Sequence, residues 1–226
     1  LRLLTDRADQ LDLAGLGFSD GDQDKINKAI KKPYGMILAT GPTGSGKTTT
    51  LYTLIKSLNS SETSIITIED PVEYAIDDVR QIQVNPRTGL TFANGLRSIL
   101  RQDPNVIMVG EIRDIETANI AVNTALTGHL LLSTIHTSDA ATTLPRLLDM
   151  KIEPYLIAST VNLAIGQRLI RKICEKCKTE KKVSEMEKKS MTEALNLLAS
   201  NDCKTIFYGS GCDDCGGSGY KGRVVI

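Results

Sequence analysis

The chain has 226 residues and a mass of 24.6 kDa, which is enough for one α/β domain or for one domain with a small appendage. Its 41% hydrophobic and 24% charged residues exclude a wholly disordered chain, and no apolar run approaches the roughly 18 residues of a membrane-spanning helix. With 27 basic and 27 acidic residues, 4% aromatic residues and no Trp, the composition argues against a nucleic-acid partner.

The predicted elements alternate between helices and short apolar strands. Ser19 is expected to cap a first helix that contains Ile26 and Ile30. The elements that follow are a strand 36–39, a helix 48–58, a strand 64–68, a helix 92–100, a strand 106–109, a helix 115–126 and a strand 130–135. This alternation predicts an α/β fold with a mainly parallel sheet that extends to about residue 166.

We divide the sequence into three predicted parts. Residues 1–34 form a lead-in segment, 35–170 an α/β core, and 171–226 a small cysteine-containing module with a short helix near 191–198. The opening at Leu1 lacks the charged and then apolar pattern of a signal peptide. We expect the sequence to be a fragment of a longer chain.

A glycine-rich loop lies between the first strand and the helix 48–58. The pattern GxxxxGK[ST] is satisfied by Gly41, Pro42, Thr43, Gly44, Ser45, Gly46, Lys47 and Thr48. Backbone N–H groups of such a loop surround a phosphate, and the following helix adds partial positive charge. We expect this loop and Thr49 to bind ATP, with Lys47 between the β- and γ-phosphates and the Thr48 hydroxyl on Mg²⁺. The alternative is a plain glycine-rich turn with a surface lysine.

Acidic residues follow two other predicted strands. Glu69, Asp70 and Glu73 follow the strand 64–68, and Glu111 follows the strand 106–109 after one glycine. Hydrolysis of a γ-phosphate needs one carboxylate to orient the attacking water and another to hold Mg²⁺ through its hydration shell. Glu73 and Glu111 are the stronger candidates, and Glu69 and Asp70 are alternatively loop caps.

Two histidines and three arginines complete the candidate site. His129 and His136 flank the last predicted strand, and His136 lies at its carboxyl end, where open α/β sheets bind ligands. We expect His136 to hydrogen-bond the γ-phosphate and leave the role of His129 open. Arg97, Arg101 and Arg113 are candidates for neutralising charge on the transferred phosphoryl group, with surface ion pairs as the alternative.

Four of the five cysteines form two CxxC pairs, which are Cys174 with Cys177 and Cys212 with Cys215. One CxxC turn places two thiolates on a metal, and a second turn completes a tetrahedron, so the pattern predicts a structural zinc. A redox-active CxxC is the alternative, although it needs only one pair. Cys203 has no such partner and is expected to be a buried or free thiol.

Four segments resemble the secretion ATPase superfamily. GPTGSGKTTT (41–50) resembles its Walker A motif, and TIEDPVEY (67–74) resembles its aspartate box. LRSILRQDPNVIMVGEIRD (96–114) resembles its atypical Walker B motif, which has glycine in place of aspartate, and TGHLLLSTIHT (127–137) resembles its histidine box. The paired CxxC motifs after QRLIRKIC (167–174) make the chain similar to type II secretion and type IV pilus assembly ATPases, since other branches generally lack them.

The resemblance implies a RecA-like P-loop core that hydrolyses ATP to power assembly of a pilin-like fibre in type II secretion or, alternatively, in type IV pilus extension. It assigns Glu73 to activating the attacking water and Glu111 to the Walker B role, and it links the arginines and histidines named above to the nucleotide. It further implies a homo-hexamer on the cytoplasmic face of the bacterial inner membrane, with platform and adaptor proteins as partners. A separate N-terminal domain and a C-terminal helical region are expected to be largely absent from this sequence.

Two other functions are compatible with such a core. A nucleic-acid motor needs a basic channel and DNA-stimulated hydrolysis, which the zero net charge and the few aromatic residues disfavour. A scaffold whose zinc module binds a membrane-protein partner, and whose nucleotide only switches its shape, is the non-enzymatic alternative.

Overall fold

The computed structural model describes residues 12–184, 186–188 and 205–226. These residues form two compact units, one of which contains the described residues up to Leu169 together with Val225–Ile226, while the other contains the described residues of Ile170–Val224. The helix predicted near 191–198 and Cys203 lie outside the described residues. None of the helices in the described part of the chain has the length and apolar character that crossing a membrane requires.

A six-stranded parallel sheet is the centre of the first unit. Its strands are β1 (Gly35–Thr40), β2 (Ile65–Glu69), β3 (Arg80–Gln83), β4 (Val106–Ile112), β5 (Leu130–Ile135) and β6 (Val161–Gly166). They lie in the order β3-β2-β4-β5-β1-β6, and neighbouring strands pair in parallel. The carboxyl ends of parallel strands meet at one edge of the sheet, so loops that are far apart in sequence converge there.

Helices connect the strands and cover both faces of the sheet. They are α1 (Leu13–Leu16), α2 (Asp20–Ile30), α3 (Lys47–Leu58), α4 (Phe92–Ile99), α5 (Ile115–Leu126), α6 (Thr143–Asp149) and α7 (Pro154–Thr160). The hydroxyl of Ser19 accepts a hydrogen bond from the Asp22 N–H at 3.2 Å and caps α2, as the sequence predicts. Single 3₁₀ turns follow β3 and α4.

Alternate residues of each strand build two separate hydrophobic clusters. In β1, Met36 and Leu38 pack in the cluster that also contains residues of α4, α5 and α7. Ile37 and Ala39 pack on the opposite face, with residues of α2 and α3. Because both faces are buried, the central strands are continuous apolar runs rather than alternating patterns.

The predicted mainly parallel α/β sheet is confirmed, with two differences. β4 extends to Ile112, so Glu111 lies within the strand instead of following it, and the pairing with β5 shifts register between Val109 and Ile112. The sequence analysis did not predict the strands β3 and β6. β3 is a partly exposed edge strand of four residues, three of them polar, which leaves no apolar run to recognise.

The second unit consists of short strands that hold two turns. β7 (Leu169–Ile173), most of which lies in this unit, pairs with β10 (Tyr220–Val225), and β8 (Lys178–Lys182) is antiparallel to β9 (Thr205–Gly209). One CxxC turn connects β7 to β8, and the other lies between β9 and β10. Equivalent connections thus present the two cysteine pairs.

Candidate functional site

The phosphate loop connects the end of β1 directly to the start of α3. Gly41, Gly44 and Gly46 adopt positive φ angles of 139°, 77° and 88°, which side-chain-bearing residues rarely adopt. Lys47 is buried, and its Nζ donates hydrogen bonds to the carbonyls of Gly41 at 2.9 Å and Pro42 at 3.0 Å. The ammonium therefore lies across the concave side of the loop.

Gln167 supports this loop from outside, and the sequence analysis did not identify it as a site residue. Its backbone N–H donates to the Thr40 carbonyl at 3.0 Å, and its side-chain Nε2 donates to the Ser45 carbonyl at 2.8 Å. A Cβ at Gly41 would lie 2.4 Å from the Gln167 carbonyl. Its position in the fold could have identified it, because Gln167 follows β6, the parallel neighbour of β1, and therefore lies at the same edge of the sheet as the phosphate loop.

Several buried polar atoms of the loop region have no hydrogen-bond partner among the described residues. They include the hydroxyl oxygens of Ser45 and Thr50 and the Oε1 atom of Gln167. Buried polar groups are normally satisfied, so these atoms mark places where water or another polar group is expected. The glycine conformations and Lys47 fit the phosphates of a nucleotide, and the partly buried Thr48 at the start of α3 fits a magnesium ligand.

Glu111 is buried near the end of β4, at the edge of the sheet where the phosphate loop lies. Arg113 Nη2 lies 2.5 Å from Glu111 Oε1, and His136 Nε2 lies 3.0 Å from Glu111 Oε2. Burial lowers the pKa of Lys47, and the charge of Glu111 opposes that effect. The hydrogen bond that Arg113 donates to Glu111 is the main reason that the pKa of Arg113 is raised. The structure thus brings Lys47, Glu111, Arg113 and His136 to one edge of the sheet.

The glycine of the atypical Walker B motif is explained by crowding. A Cβ at Gly110 would lie 3.3 Å from the Glu69 Cα and 3.3 Å from the Ile68 carbonyl oxygen, both in the neighbouring strand β2. The Thr134 hydroxyl donates to the Gly110 carbonyl at 2.8 Å and joins β5 to this segment. These contacts place His136, just after β5, beside Glu111.

Glu69 is expected to follow a strand as a site residue or a loop cap, but the structure places it inside the protein at the end of β2. It is the last residue of β2 and is buried, and its carboxylate accepts hydrogen bonds from Tyr52, Thr67 and Gln81. Asp70 follows as an exposed residue, and its charge contributes to raising the pKa of Arg113 after the larger effects of Glu111. Glu73 lies in the next turn, and its N–H donates to the Tyr52 hydroxyl at 3.2 Å.

Three of the candidate residues lie apart from Glu111. Arg97 in α4 forms an exposed ion pair with Glu116 at 2.6 Å, and Arg101 is exposed in the turn that precedes the amino end of β4. His129 precedes β5 at the amino edge of the sheet, where its Nδ1 lies 3.3 Å from the Thr124 carbonyl. In the described residues neither arginine contacts Glu111, although Glu116, the partner of Arg97, lies in the first turn of α5.

The two CxxC pairs meet at one point within the second unit. The four Sγ atoms of Cys174, Cys177, Cys212 and Cys215 lie within 4.8 Å of one another. The Sγ–Sγ distances are 3.9 Å for Cys174–Cys212 and Cys177–Cys215 and 3.7 Å for Cys212–Cys215. Four ligands at a Zn–S distance of about 2.3 Å in a tetrahedron lie about 3.8 Å apart, so the cluster has the size of a zinc site.

The surroundings of Cys215 suit a thiolate, whereas burial raises the pKa of Cys177 to about 12. Burial alone would raise the pKa of Cys215, but backbone N–H groups of Cys212 and Gly219, which lie 3.3 and 3.2 Å from its Sγ, contribute to lowering it to about 6. Asp214 beside the cluster pairs with Lys176 at 3.0 Å and Lys221 at 2.8 Å. This arrangement of all four cysteines favours metal binding over a redox pair, because a redox pair uses only two of them.

Comparison with known proteins identifies relatives of this chain. A profile described as "Type II/IV secretion system protein" matches residues 1–226. The chain is 48% identical over 226 residues to the "Type II secretion system ATPase E" of Vibrio cholerae, an alignment that covers 100% of this chain and 44% of that protein. It is 49% identical over 226 residues to the "Type IV pilus assembly ATPase PilB" of Myxococcus xanthus, covering 100% of this chain and 40% of that protein. The chain therefore spans less than half the length of these curated relatives.

Solved structures show the same fold. The crystal structure of the pilus retraction motor PilT with bound ADP matches with a TM-score of 0.64 and 38% identity, covering 73% of this chain and 50% of that chain. The Legionella pneumophila ATPase DotB matches with a TM-score of 0.62 and 35% identity, covering 71% of this chain and 47% of that chain. The predicted resemblance and the predicted P-loop α/β fold are confirmed.

Proposed function

This chain belongs to the family of type II/IV secretion system proteins, and we propose that it hydrolyses ATP to drive assembly of a pilin-like fibre for type II secretion. One observation carries the enzymatic part of this proposal. The phosphate loop with Lys47 and the buried carboxylate of Glu111 lie at the same edge of the sheet, where Arg113 Nη2 and His136 Nε2 contact the two oxygens of Glu111 at 2.5 and 3.0 Å. A lysine, an arginine and a carboxylate beside a phosphate loop are groups that phosphoryl transfer requires.

Binding of ATP is assigned to residues 41–49. The backbone N–H groups of the loop and the amino end of α3 supply donors and partial positive charge for the phosphates. Lys47 exchanges its two carbonyl partners for phosphate oxygens, which are stronger acceptors because they are charged. A bound Mg²⁺, held by Thr48 and, through water, by Glu111, supplies charge neutralisation at the phosphates.

Hydrolysis is assigned to Glu73. Its carboxylate accepts a proton from the attacking water, the water oxygen bonds to the γ-phosphorus, and ADP leaves with the electrons of the broken P–O bond. Arg113 neutralises the charge that builds on the transferred phosphoryl group, and His136 hydrogen-bonds the γ-phosphate. We place Arg97 and Arg101 in the same role as Arg113 from a neighbouring subunit of a hexamer, because neither lies beside Glu111 of its own chain.

ATP turnover by the full-length protein tests the enzymatic part. We expect Lys47→Ala to abolish measurable turnover while its circular dichroism spectrum and melting temperature stay those of a folded protein. Lys25→Ala removes an exposed lysine whose ion pair among the described residues is with Asp22 in α2, and it is the matched control. Turnover by Lys47→Ala at the rate of the control contradicts the proposed function.

The choice between secretion and pilus extension needs a cellular measurement. Deletion of the gene in its own organism, complemented with the wild type or Lys47→Ala, distinguishes the two. Loss of exported enzymes with normal surface pili supports type II secretion, and loss of pili with normal export supports type IV pilus assembly. Co-purification with the cytoplasmic part of an inner-membrane platform protein tests the proposed location on that membrane and the proposed partners.

The tetracysteine cluster is assigned a structural zinc. Its four sulfurs lie at tetrahedral spacing, and the paired charges of Asp214, Lys176 and Lys221 lie beside it. A unit of this size has little hydrophobic core, so a metal supplies much of the free energy that orders it.

A further inference from the structure

The hydroxyl of Tyr52 joins three separate segments of the first unit. Tyr52 lies in α3, five residues after Lys47, and is fully buried. Its hydroxyl donates a hydrogen bond to Glu69 Oε2 and accepts from the Glu73 N–H at 3.2 Å and from Gln81 Nε2 at 3.3 Å. One oxygen atom thus connects the helix of the phosphate loop, the end of β2 and the turn that carries Glu73.

The carboxylate of Glu69 is fully engaged within this network. Its second oxygen accepts from the Thr67 hydroxyl and from Gln81 Nε2 at 3.2 Å. Gln81 cannot turn its amide around, because its Oε1 accepts from the Ile76 N–H at 2.8 Å. A carboxylate with three donors and almost no exposed surface serves to orient its donors, and it is not available to a nucleotide.

We propose that Tyr52 and Glu69 are positioning residues that fix the distance between the phosphate loop and Glu73. This inference rests on the proposed function of Glu73. The phosphates are held at the start of α3, and the water-activating carboxylate is held on the turn after β2. Tyr52 links the two, because its backbone belongs to α3 and its hydroxyl binds the turn after β2 that carries Glu73.

Further contacts keep the Tyr52 ring in one orientation. The rings of Tyr52 and Tyr74 pack edge to face with centroids 4.7 Å apart, and Lys56 of α3 lies over the Tyr74 ring at 5.1 Å from its centroid. Tyr74 follows Glu73 in sequence, so the same turn is attached to α3 twice. Burial, followed by the Glu69 contact, raises the pKa of Tyr52, which therefore remains a protonated donor.

The test compares Tyr52→Phe with Tyr155→Phe in the full-length protein. Tyr52→Phe removes one oxygen and retains the ring, whereas Tyr155 is 69% exposed and serves as the control. Because phosphate binding does not depend on the hydroxyl, we expect KM for ATP to change less than twofold. Because a misplaced catalytic group is costly, we expect kcat to fall about 10- to 100-fold.

A second measurement separates positioning from loss of stability. Affinities for ADP and for ADP with fluoroaluminate, which imitates the transferred phosphoryl group, are measured on folded protein. We expect Tyr52→Phe to retain its affinity for ADP and to lose affinity for the fluoroaluminate complex by about the factor lost in kcat. Equal losses of both affinities, or an unchanged kcat, overturn the proposal.

Glu69→Gln provides an independent variant. The amide that replaces the carboxylate has only one acceptor oxygen, and its NH₂ group meets side chains that are themselves donors. We therefore expect the same pattern of lower kcat and unchanged KM. The kcat loss of the double variant should be smaller than the product of the single losses, since both act on Glu73. A wild-type protein without ATP turnover refutes the proposed function, whereas active wild type with active Tyr52→Phe and Glu69→Gln refutes only the positioning role.

Discussion

The side-chain amide of Gln167 donates a hydrogen bond to the backbone carbonyl of Ser45 over 2.8 Å, although 122 residues separate the two along the chain. The bond holds the middle of the phosphate loop against the residue that follows β6. Its geometry depends on β6 lying next to β1 in the sheet. The conformation of a local motif is therefore completed by a distant part of the sequence.

Replacement of Gln167 is expected to weaken nucleotide binding. In Gln167→Ala the buried Ser45 carbonyl loses its hydrogen-bond donor. The loop conformation that binds the nucleotide is then destabilised by about 1–3 kcal/mol, which predicts roughly a 5- to 150-fold higher Kd for ATP. Fluorescent-nucleotide titration measures the Kd. Gln102→Ala, in the exposed turn after α4, is the control. An unchanged Kd contradicts the supporting role of Gln167.

Gly41 and Gly89 can be compared to test the crowding of the loop. Both have positive φ, but the φ of Gly41 is 139° and that of Gly89 is 76°, so Gly41 is also the more strained position for a side chain. A Cβ at Gly41 meets the Gln167 carbonyl at 2.4 Å and Ser45 Oγ at 2.8 Å, whereas a Cβ at Gly89 meets nothing within 4 Å. Gly89→Ala is expected to lower the free energy of unfolding by about 1 kcal/mol through backbone strain alone. Gly41→Ala adds a steric term of roughly 1–3 kcal/mol. Urea denaturation measures both, and equal losses would show that the approach of Gln167 is not restrictive.

The effects of Arg113→Ala and Arg97→Ala on kcat should depend differently on subunit association. Arg113 contacts Glu111 of its own chain at 2.5 Å, so Arg113→Ala is expected to lower kcat about tenfold or more at every protein concentration. Arg97 pairs with Glu116 instead, so Arg97→Ala should lower kcat only where subunits associate. Turnover measured across a dilution series, with light scattering to record assembly, distinguishes the two. A concentration-independent loss for Arg97→Ala means that it acts within one chain.

Loss of one cysteine ligand should release the metal. We expect the purified protein to contain one zinc per chain, and Cys212→Ser to reduce this content strongly, because a structural site needs all four ligands. Elemental analysis measures the zinc, and Cys203→Ser is the matched control with an expected unchanged content. Protein that holds no metal after purification under reducing conditions, and that forms a disulfide within one CxxC pair once the reductant is removed in air, favours the redox alternative instead.

The sequence was sufficient where the information is local. The residues 41–48 define the phosphate loop, and the apolar runs before and after it predict β1 and α3 within one residue. The paired CxxC spacing predicts a four-cysteine cluster, since each turn brings two sulfurs together without help from the rest of the chain. Edge strands such as β3 were missed because a partly exposed strand has no continuous apolar signal.

What only the tertiary structure decided is which side chains meet at the carboxyl edge of the sheet. Glu69 and Glu111 look alike in sequence, each a glutamate at the end of an apolar run, yet Glu69 is enclosed by Tyr52, Thr67 and Gln81, while Glu111 contacts Arg113 and His136. The strand order sets these neighbours, and it arises from packing both faces of the sheet rather than from any one segment. The residue types and their local loops were therefore fixed by sequence, and their roles were divided by long-range strand pairing.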